Sequence, residues 1–287
     1  MATVKVNGLN IGYELVGDGS RPWIVTEGGR FNKEYPGVRE LAVALAERDG
    51  RVLIWDRPNC GESDVCFEGE TESQLHADTL AALLEHFDMA PAILAGGSAG
   101  SRVSLFAAAR HPEAVQALAL WWISGGVMGQ MTLGNVYCAP NIRAAWKDDM
   151  TAVADLPDWA EVIERNPGNR QRILDQDRDE FIATMERWMM AYCPQQGQEV
   201  PGLPDDRIRA IQVPAIVFRS GASDPNHPRA TTDAVAGLLP NARLVEPPWG
   251  DREWHIRGAE REQTGGLFVG WPRLAPQLLD WVDEILA

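Results

Sequence analysis

The pentapeptide Gly96-Gly97-Ser98-Ala99-Gly100 is the feature that most restricts how this chain can fold. An apolar run, Ala92–Ala95, comes before it, and a helical pattern follows it with an apolar face formed by Val103, Phe106 and Ala107. The serine therefore lies where a buried strand passes into a helix. Such a turn needs small neighbours because the backbone folds tightly on itself, and it presents the serine hydroxyl above the edge of a sheet. The sequence thus predicts a nucleophile elbow with a serine nucleophile.

The rest of the chain alternates apolar strands with amphipathic helices. Asn7-Gly8 separates two alternating segments, which is typical of a hairpin. Further strands are predicted at residues 23–26, 52–55, 92–95, 117–123, 213–218 and 243–245. Strands that alternate with helices typically form a mostly parallel sheet that is covered on both faces. We therefore predict an α/β fold with a mostly parallel, eight-stranded sheet flanked by helices.

The alternation of strands and helices stops between Gly125 and Asp206. No strand pattern is recognisable there, whereas Phe181, Met185 and Trp188 recur at helical spacing. The alternation resumes at residue 213. The sequence therefore predicts one α/β core, residues 1–124 and 207–287, and a helical lid inserted at residues 125–206.

Charge and cysteine content narrow the class of protein. The 41 acidic and 26 basic residues give a formal net charge of −15, which argues against nucleic-acid or anionic-membrane partners because both require clustered Lys and Arg. The chain has no apolar run of about 20 residues and no apolar N-terminal signal segment. We expect a cytoplasmic monomer or homodimer that acts on a small molecule. The four cysteines lack metal-ligand spacing, so we expect free thiols, no metal and no cofactor.

A serine nucleophile needs a base, and the base needs an orienting carboxylate. Both groups should follow the carboxyl ends of later strands, where open α/β sheets place their sites. Asp224 follows the strand that ends at Phe218, and His255 follows the strand that ends near Val245. The order Ser98, Asp224, His255 is typical of a catalytic triad in such a sheet. A neighbouring carboxylate is expected to raise the pKa of the base.

Other histidines and carboxylates are weaker candidates. His227 lies only three residues after Asp224, so it is predicted to line the rim of the site rather than to replace the base. Asp251 and Glu253 are alternatives for the acid, although neither lies at a strand end. Three further histidines lie in or beside predicted helices and are expected to be surface or helix-terminus residues: His76, His86 and His111.

The oxyanion of an acyl-transfer intermediate needs two backbone N–H donors. One is expected from Ala99, the residue after the nucleophile, and the other from the glycine turn that follows the strand at residues 23–26. We assign the second donor to Gly29.

These features together resemble an α/β-hydrolase fold protein with a lid. The resemblance rests on the glycine turn, the loop that begins at Asp56, the elbow, and the later acid and base. The segment Gly96–Ser101, with His111-Pro112-Glu113 after its helix, is also similar to prolyl-iminopeptidase-like members. The resemblance implies a serine hydrolase, because a serine at the elbow differs from the aspartate nucleophile of the dehalogenase and epoxide-hydrolase branches.

Two positions depart from the pattern of this family. Pro58-Asn59-Cys60 replaces a more usual glycine-bearing sequence, and Glu27 stands where the family usually has histidine. Two accounts of Glu27 remain open. It either forms a structural ion pair with Arg30 or Arg57, or it binds the ammonium group of an aminoacyl substrate.

The aromatic residues and methionines of the predicted lid indicate a substrate with an apolar or aromatic acyl group. We predict that the substrate is contacted by Arg30, Trp146, Trp159, Trp188 and Met189. The predicted function is hydrolysis of an ester or lactone of a small, largely apolar substrate through an acyl-enzyme. Hydrolysis of an amide or of a carbon–carbon bond, and a non-catalytic binding scaffold, are the alternatives.

Overall fold

The computed structural model describes residues 2–287, except for the side chains of Glu253 and Trp254. Eight strands form one sheet: β1 (Ala2–Val6), β2 (Leu9–Val16), β3 (Arg21–Thr26), β4 (Gly50–Trp55), β5 (Ala92–Ser98), β6 (Val115–Ile123), β7 (Ala215–Phe218) and β8 (Ala242–Val245). Their order across the sheet is β1-β2-β4-β3-β5-β6-β7-β8. The pairs β1–β2 and β2–β4 are antiparallel, and the other pairs are parallel. The predicted mostly parallel sheet of eight strands is confirmed.

Helices flank this sheet and fill the segment between β6 and β7. The α-helices are α1 (Val38–Ala46), α2 (Glu72–His86), α3 (Ala99–Arg110), α4 (Val127–Tyr137), α5 (Ala139–Lys147), α6 (Met150–Ala154), α7 (Pro157–Arg165), α8 (Gly168–Leu174), α9 (Arg178–Ala191), α10 (Asp205–Arg209), α11 (Arg229–Leu238), α12 (Glu253–Thr264) and α13 (Ala275–Leu286). Short 3-10 helices occupy Pro112–Ala114 and Trp271–Leu274. Within the described chain, no helix combines the length and apolar character that crossing a membrane requires.

Strands β3–β7 are largely buried on both faces, which explains their near-continuous apolar sequences, whereas the edge strand β8 is partly exposed. Successive side chains of a strand point to opposite faces. Ile24 accordingly packs in the apolar cluster that contains residues of α2 and α3, whereas Trp23 and Val25 pack in the cluster that contains residues of α1 and α13. All three side chains are fully buried. The sheet therefore holds the carboxyl ends of its central strands in fixed positions, and the candidate site lies at that edge.

The segment 125–206, which we call the helical insert, contains α4–α9 and the first two residues of α10, and an apolar cluster of its own. Phe67, from the loop after β4, enters this cluster and contacts Trp159 and Phe181 edge-to-face at ring-centroid distances of 5.6 and 4.9 Å. Aromatic contacts thus attach the helical insert to the core. Its predicted boundaries and its role as a lid stay predictions.

Candidate active site

The turn between β5 and α3 has the backbone that the sequence predicts. Ser98 adopts φ 58° and ψ −116°, a positive-φ conformation that side-chain-bearing residues rarely occupy. A Cβ atom at Gly96 would lie 2.6 Å from the carbonyl carbon of Gly100, and one at Gly100 would lie 2.1 Å from the Thr26 oxygen. Only glycine fits at these two positions. The close packing therefore forces the turn that presents the Ser98 hydroxyl.

A chain of hydrogen bonds connects Ser98 to a histidine and an aspartate. His227 Nδ1 lies 2.9 Å from Asp224 Oδ2, and His227 Nε2 lies 2.9 Å from Ser98 Oγ. An ionised carboxylate only accepts hydrogen bonds, so Nδ1 carries the proton and Nε2 is left to accept the serine hydroxyl. The arrangement is that of nucleophile, base and orienting acid.

The base in this geometry is His227, which corrects the prediction of His255. His255 is exposed on α12, and Ser98 is bonded instead by the histidine that follows Asp224 by three residues. The Asp224 Oδ1 atom accepts the backbone N–H groups of Asn226 and His227 at 3.0 and 3.1 Å. This tight turn folds the His227 ring back beside the carboxylate. The sequence signal that could have predicted His227 as the base is an aspartate whose side chain can accept backbone N–H groups two and three residues later.

The two alternative acids are not part of this hydrogen-bond chain as far as the structure describes them. Asp251 is largely exposed and pairs with Arg229. Glu253 begins α12, and its side chain lies outside the described residues.

Arg257 of α12 is a site residue that the sequence analysis missed. Its Nη2 atom donates to Asp224 Oδ2 at 2.7 Å, and its guanidinium carbon lies 3.8 Å from the centre of the Trp122 ring system. Trp122 has φ 48° where the register between β5 and β6 shifts, and its ring stacks beside His227 at 6.1 Å. Such irregularities re-aim side chains near active sites. Here the irregularity places an aromatic face beneath Arg257.

Burial and charge set the protonation of these groups. Burial lowers the pKa of His227, and the charges of Arg257 and Arg102 lower it further, against the opposing effect of Asp224. This differs from the expectation that the neighbouring carboxylate raises the pKa of the base. For Asp224, burial raises the pKa, but the His227 hydrogen bond and the Arg257 charge together lower it to about 2. A neutral imidazole beside an ionised carboxylate is therefore favoured at neutral pH.

The glycine turn after β3 lies against the nucleophile. A Cβ atom at Gly28 would be 3.0 Å from the Ser98 Cβ, so any larger residue here would have to push the serine turn away by a few tenths of an ångström. Gly29 has φ 55° and lines the same cavity as Ser98. Ala99 is the first residue of α3, where helical geometry leaves backbone N–H groups without intrahelical partners. Both predicted oxyanion donors thus lie next to the serine, and their catalytic role stays a prediction.

Glu27 supports this turn from behind. Its side chain is fully buried, and its Oε1 atom accepts a 2.7 Å hydrogen bond from Arg57 Nε. Arg57 Nη2 also donates to the Gly29 carbonyl oxygen at 2.6 Å. Burial raises the pKa of Glu27 to about 7 although Arg57 opposes the shift. Glu27 is not part of the cavity wall, so the geometry favours the structural account over the ammonium-binding account.

A cavity of about 320 Å³ opens above Ser98 and His227, which is at the small end of ligand sites. One wall comes from α4 of the helical insert. Half of the lining residues are aromatic or aliphatic, and the wall consists of Gly29, Phe31, Ser98, Trp122, Thr132, Leu133, Val136, Tyr137, Asn226, His227, Arg257, Arg261, Leu267 and Phe268. The described residues include no cluster of three or more metal-ligating side chains.

The five predicted substrate contacts lie outside this wall. Trp159 and Trp188 are buried in the helical insert and donate to Asn141 Oδ1 and the Gly69 oxygen. Trp146 is 68% exposed, and Met189 lines a separate groove. Aromatic residues at helical spacing pack a helix onto its neighbours, and that packing explains the difference from the prediction.

Arg30, the fifth predicted contact, is held beneath the wall. Its Nη2 atom pairs with Glu72 Oε1 at 3.1 Å, and its guanidinium lies over the rings of Tyr137 and Trp159 at 4.8 and 5.1 Å. It therefore supports Tyr137, which lines the cavity, and does not itself line it.

Sequence comparison identifies relatives over most of the chain. A family model described as alpha/beta hydrolase fold matches residues 27–123. The "Putative non-heme haloperoxidase" of Mycobacterium phage D29 is 32% identical over 248 residues, which are 82% of this chain and 86% of that protein. The dihydrolipoyllysine-residue acetyltransferase component of the acetoin cleaving system of Pseudomonas putida is 36% identical over 132 residues. That match covers 44% of this chain and about a third of the relative, 34%.

The fold is also similar to that of a solved hydrolase. The enol-lactonase of Burkholderia xenovorans superposes with a TM-score of 0.60 at 24% identity, covering 98% of this chain and 100% of that one. The family model includes the elbow, and the 32% identical relative extends the similarity to most of both chains. The chain therefore belongs to the α/β-hydrolase fold superfamily of hydrolases.

Proposed function

We propose that this protein is a serine hydrolase that cleaves a carboxylic ester or lactone of a small substrate through an acyl-enzyme. The observation that carries the proposal is the hydrogen-bond chain Ser98–His227–Asp224, with two links of 2.9 Å, at the floor of a largely apolar cavity. A serine hydroxyl is a weak nucleophile unless a base accepts its proton. This geometry supplies the base in the required tautomer.

The proposed reaction begins when Ser98 Oγ attacks the carbonyl carbon and His227 Nε2 takes the hydroxyl proton. Asp224 stabilises the imidazolium that forms, while the N–H groups of Ala99 and Gly29 bind the oxyanion. His227 then gives the proton to the leaving alkoxide as the bond to the carbonyl carbon breaks. Water then attacks the carbonyl carbon of the acyl-enzyme while His227 takes one of its protons. His227 passes this proton to Ser98 Oγ as the acyl–oxygen bond breaks, which releases the acid and restores Ser98.

The charges of the cavity favour esters and lactones over aminoacyl amides. An aminoacyl substrate carries an ammonium group that needs a carboxylate partner, and no Asp or Glu is found among the cavity's described lining residues. Glu27 is occupied by Arg57. The fold similarity to an enzyme named as an enol-lactonase adds support for a lactone.

A second candidate activity comes from the name of the phage relative. Hydrogen peroxide is a small nucleophile that can replace water as acceptor of the acyl group. Its attack on the acyl-enzyme carbonyl would form a C–O bond and break the bond to Ser98 Oγ, while His227 passes a peroxide proton to that oxygen and a peracid is released. The peracid would then transfer its terminal oxygen to a halide ion, giving hypohalite and the carboxylic acid.

The test is a stopped-flow assay with p-nitrophenyl butyrate. An acyl-enzyme that forms faster than it hydrolyses gives a burst of p-nitrophenol, and Ser98→Ala abolishes it. A panel of lactones, esters and aminoacyl anilides, with and without hydrogen peroxide and bromide, then separates the candidate activities. Turnover by Ser98→Ala at the wild-type rate, or no turnover of any substrate, contradicts the proposal.

A further inference from the structure

Helix α12 contributes two arginines to the cavity wall, and they differ in burial and in their partners. Arg257 is buried and bonded to Asp224. Arg261 is one helical turn further along, about 6 Å in rise, and is exposed while lining the same cavity. It therefore lies toward the mouth. The residues three and four positions away on its own helix face carry no carboxylate: Arg257, Gly258, Thr264 and Gly265.

Charge balance makes Arg261 unusual for this molecule. The chain has 41 acidic and 26 basic residues, and many of its exposed arginines pair with a carboxylate, as Arg48 does with Asp280 and Arg243 with Glu284. No described carboxylate forms an ion pair with Arg261, and no Asp or Glu lines the part of the cavity that the structure describes. A strongly acidic protein thus keeps, at the mouth of a largely apolar cavity, an arginine that has no ion-pair partner among the described residues.

We propose that the substrate carries a carboxylate that pairs with Arg261. This inference rests on the proposed function and specifies its substrate class: an ester or lactone with a carboxylate at the far end of its acyl or alcohol part. A guanidinium offers a planar pair of donors that matches a carboxylate. Phe31, Leu133 and Val136 line the same cavity and would contact the apolar linker.

Arg257 does not receive the substrate carboxylate, although it is closer to the reacting atoms. Its guanidinium is held between Asp224 Oδ2 and the face of Trp122. Withdrawing it would leave the buried Asp224 carboxylate with one fewer donor, which is costly. The anionic group therefore lies one helical turn away from the triad, separated by several bonds from the scissile carbonyl.

The kinetic test compares monoethyl glutarate with its neutral isostere, ethyl 4-carbamoylbutanoate. We expect Arg261→Gln to lower kcat/KM for the carboxylate ester by about tenfold, mainly through KM, while the amide ester changes by less than about twofold. The charge-matched control is Arg178→Gln, at an exposed arginine of α9 that is not part of the cavity wall. Equal changes for both esters in Arg261→Gln, or no change for either, overturn the inference.

A binding experiment separates this inference from the proposed function. Monoethyl glutarate is titrated calorimetrically into Ser98→Ala, with and without Arg261→Gln, at low and high salt. Binding that weakens with Arg261→Gln and with salt supports the carboxylate site even if no ester is hydrolysed. Hydrolysis of neutral esters without any preference for carboxylates supports the hydrolase and contradicts the site.

Discussion

The elbow and the loop after β7 supply the two halves of the same hydrogen-bond chain, but they are specified in different ways. At the elbow, backbone atoms of Gly100 and Thr26 leave no room for a Cβ, so residue types within one short segment are dictated by sterics. In the loop, His227 reaches Ser98 through a turn around the Asp224 carboxylate, and Arg257 arrives from a helix 33 residues later. Local backbone geometry is readable from sequence, whereas side-chain placement depends on the folded surroundings.

The sharpest test of this contrast compares the two histidines. We expect His227→Ala to lower kcat by roughly 10⁵–10⁶-fold, as removal of a triad base does elsewhere. His255→Ala should leave kcat within about twofold of the wild type because exposed surface substitutions have small effects. Ester hydrolysis, with circular dichroism as a folding control, measures both. The reverse ranking would restore the triad predicted from sequence.

The elbow is tested through its glycines. Gly100→Ala places a Cβ 2.1 Å from the Thr26 oxygen, so we expect the free energy of unfolding to fall by about 1–3 kcal/mol and activity to fall with it. Gly237→Ala is the control, because a Cβ there meets no atom within 4 Å. Urea denaturation of both variants measures the difference. Equal stability of Gly100→Ala and Gly237→Ala would refute the steric account.

Arg257→Gln tests how the surroundings of the loop after β7 control the base, and the measurement is the pH dependence of kcat/KM. Removing the positive charge raises the pKa of His227, so the acid limb of kcat/KM moves to higher pH, because the protonated imidazole cannot accept the Ser98 proton. Arg257→Lys keeps the charge and should keep the limb near the wild-type position. A pH–rate profile for each variant distinguishes the two. A limb that stays unmoved in Arg257→Gln argues for a packing role alone.

The smallest expected effect concerns Glu27, behind the glycine turn. Burial raises its pKa in the folded protein from the ordinary glutamate value of 4.5 to about 7, so the wild type loses stability as pH rises through this range, whereas Glu27→Gln does not. Catalysis of neutral esters and aminoacyl anilides should change equally and by about twofold or less. Melting temperatures at pH 5 and pH 8 measure the first expectation. A selective rise in KM for the anilide would revive the ammonium-binding account.

Most of the fold was predictable because strands buried on both faces, such as β3 and β5, require apolar runs in the sequence. Neighbouring strands that run parallel also require a crossover connection, which is usually a helix. Ser98 and Asp224 were predictable as residues at or directly after strand ends. His227 was harder to predict because three residues give an acid and a base little chain to meet, and only the turn around the Asp224 carboxylate brings the two side chains together. Trp159 and Trp188 were assigned to substrate because periodicity alone does not separate a residue that packs a helix from one that lines a cavity.

The short separation of Asp224 and His227 has an evolutionary consequence. In the triad predicted from the sequence, Asp224 and His255 belong to two different loops, so each could be lost or displaced alone. Here both lie within the four-residue segment 224–227, whose backbone N–H groups hydrogen-bond to the Asp224 carboxylate. A single recombination event would transfer the pair intact to another sheet of the same topology. In the described structure, the segment after β8 contributes Arg257 to the acid and Arg261 to the cavity wall, and the base comes from the loop after β7.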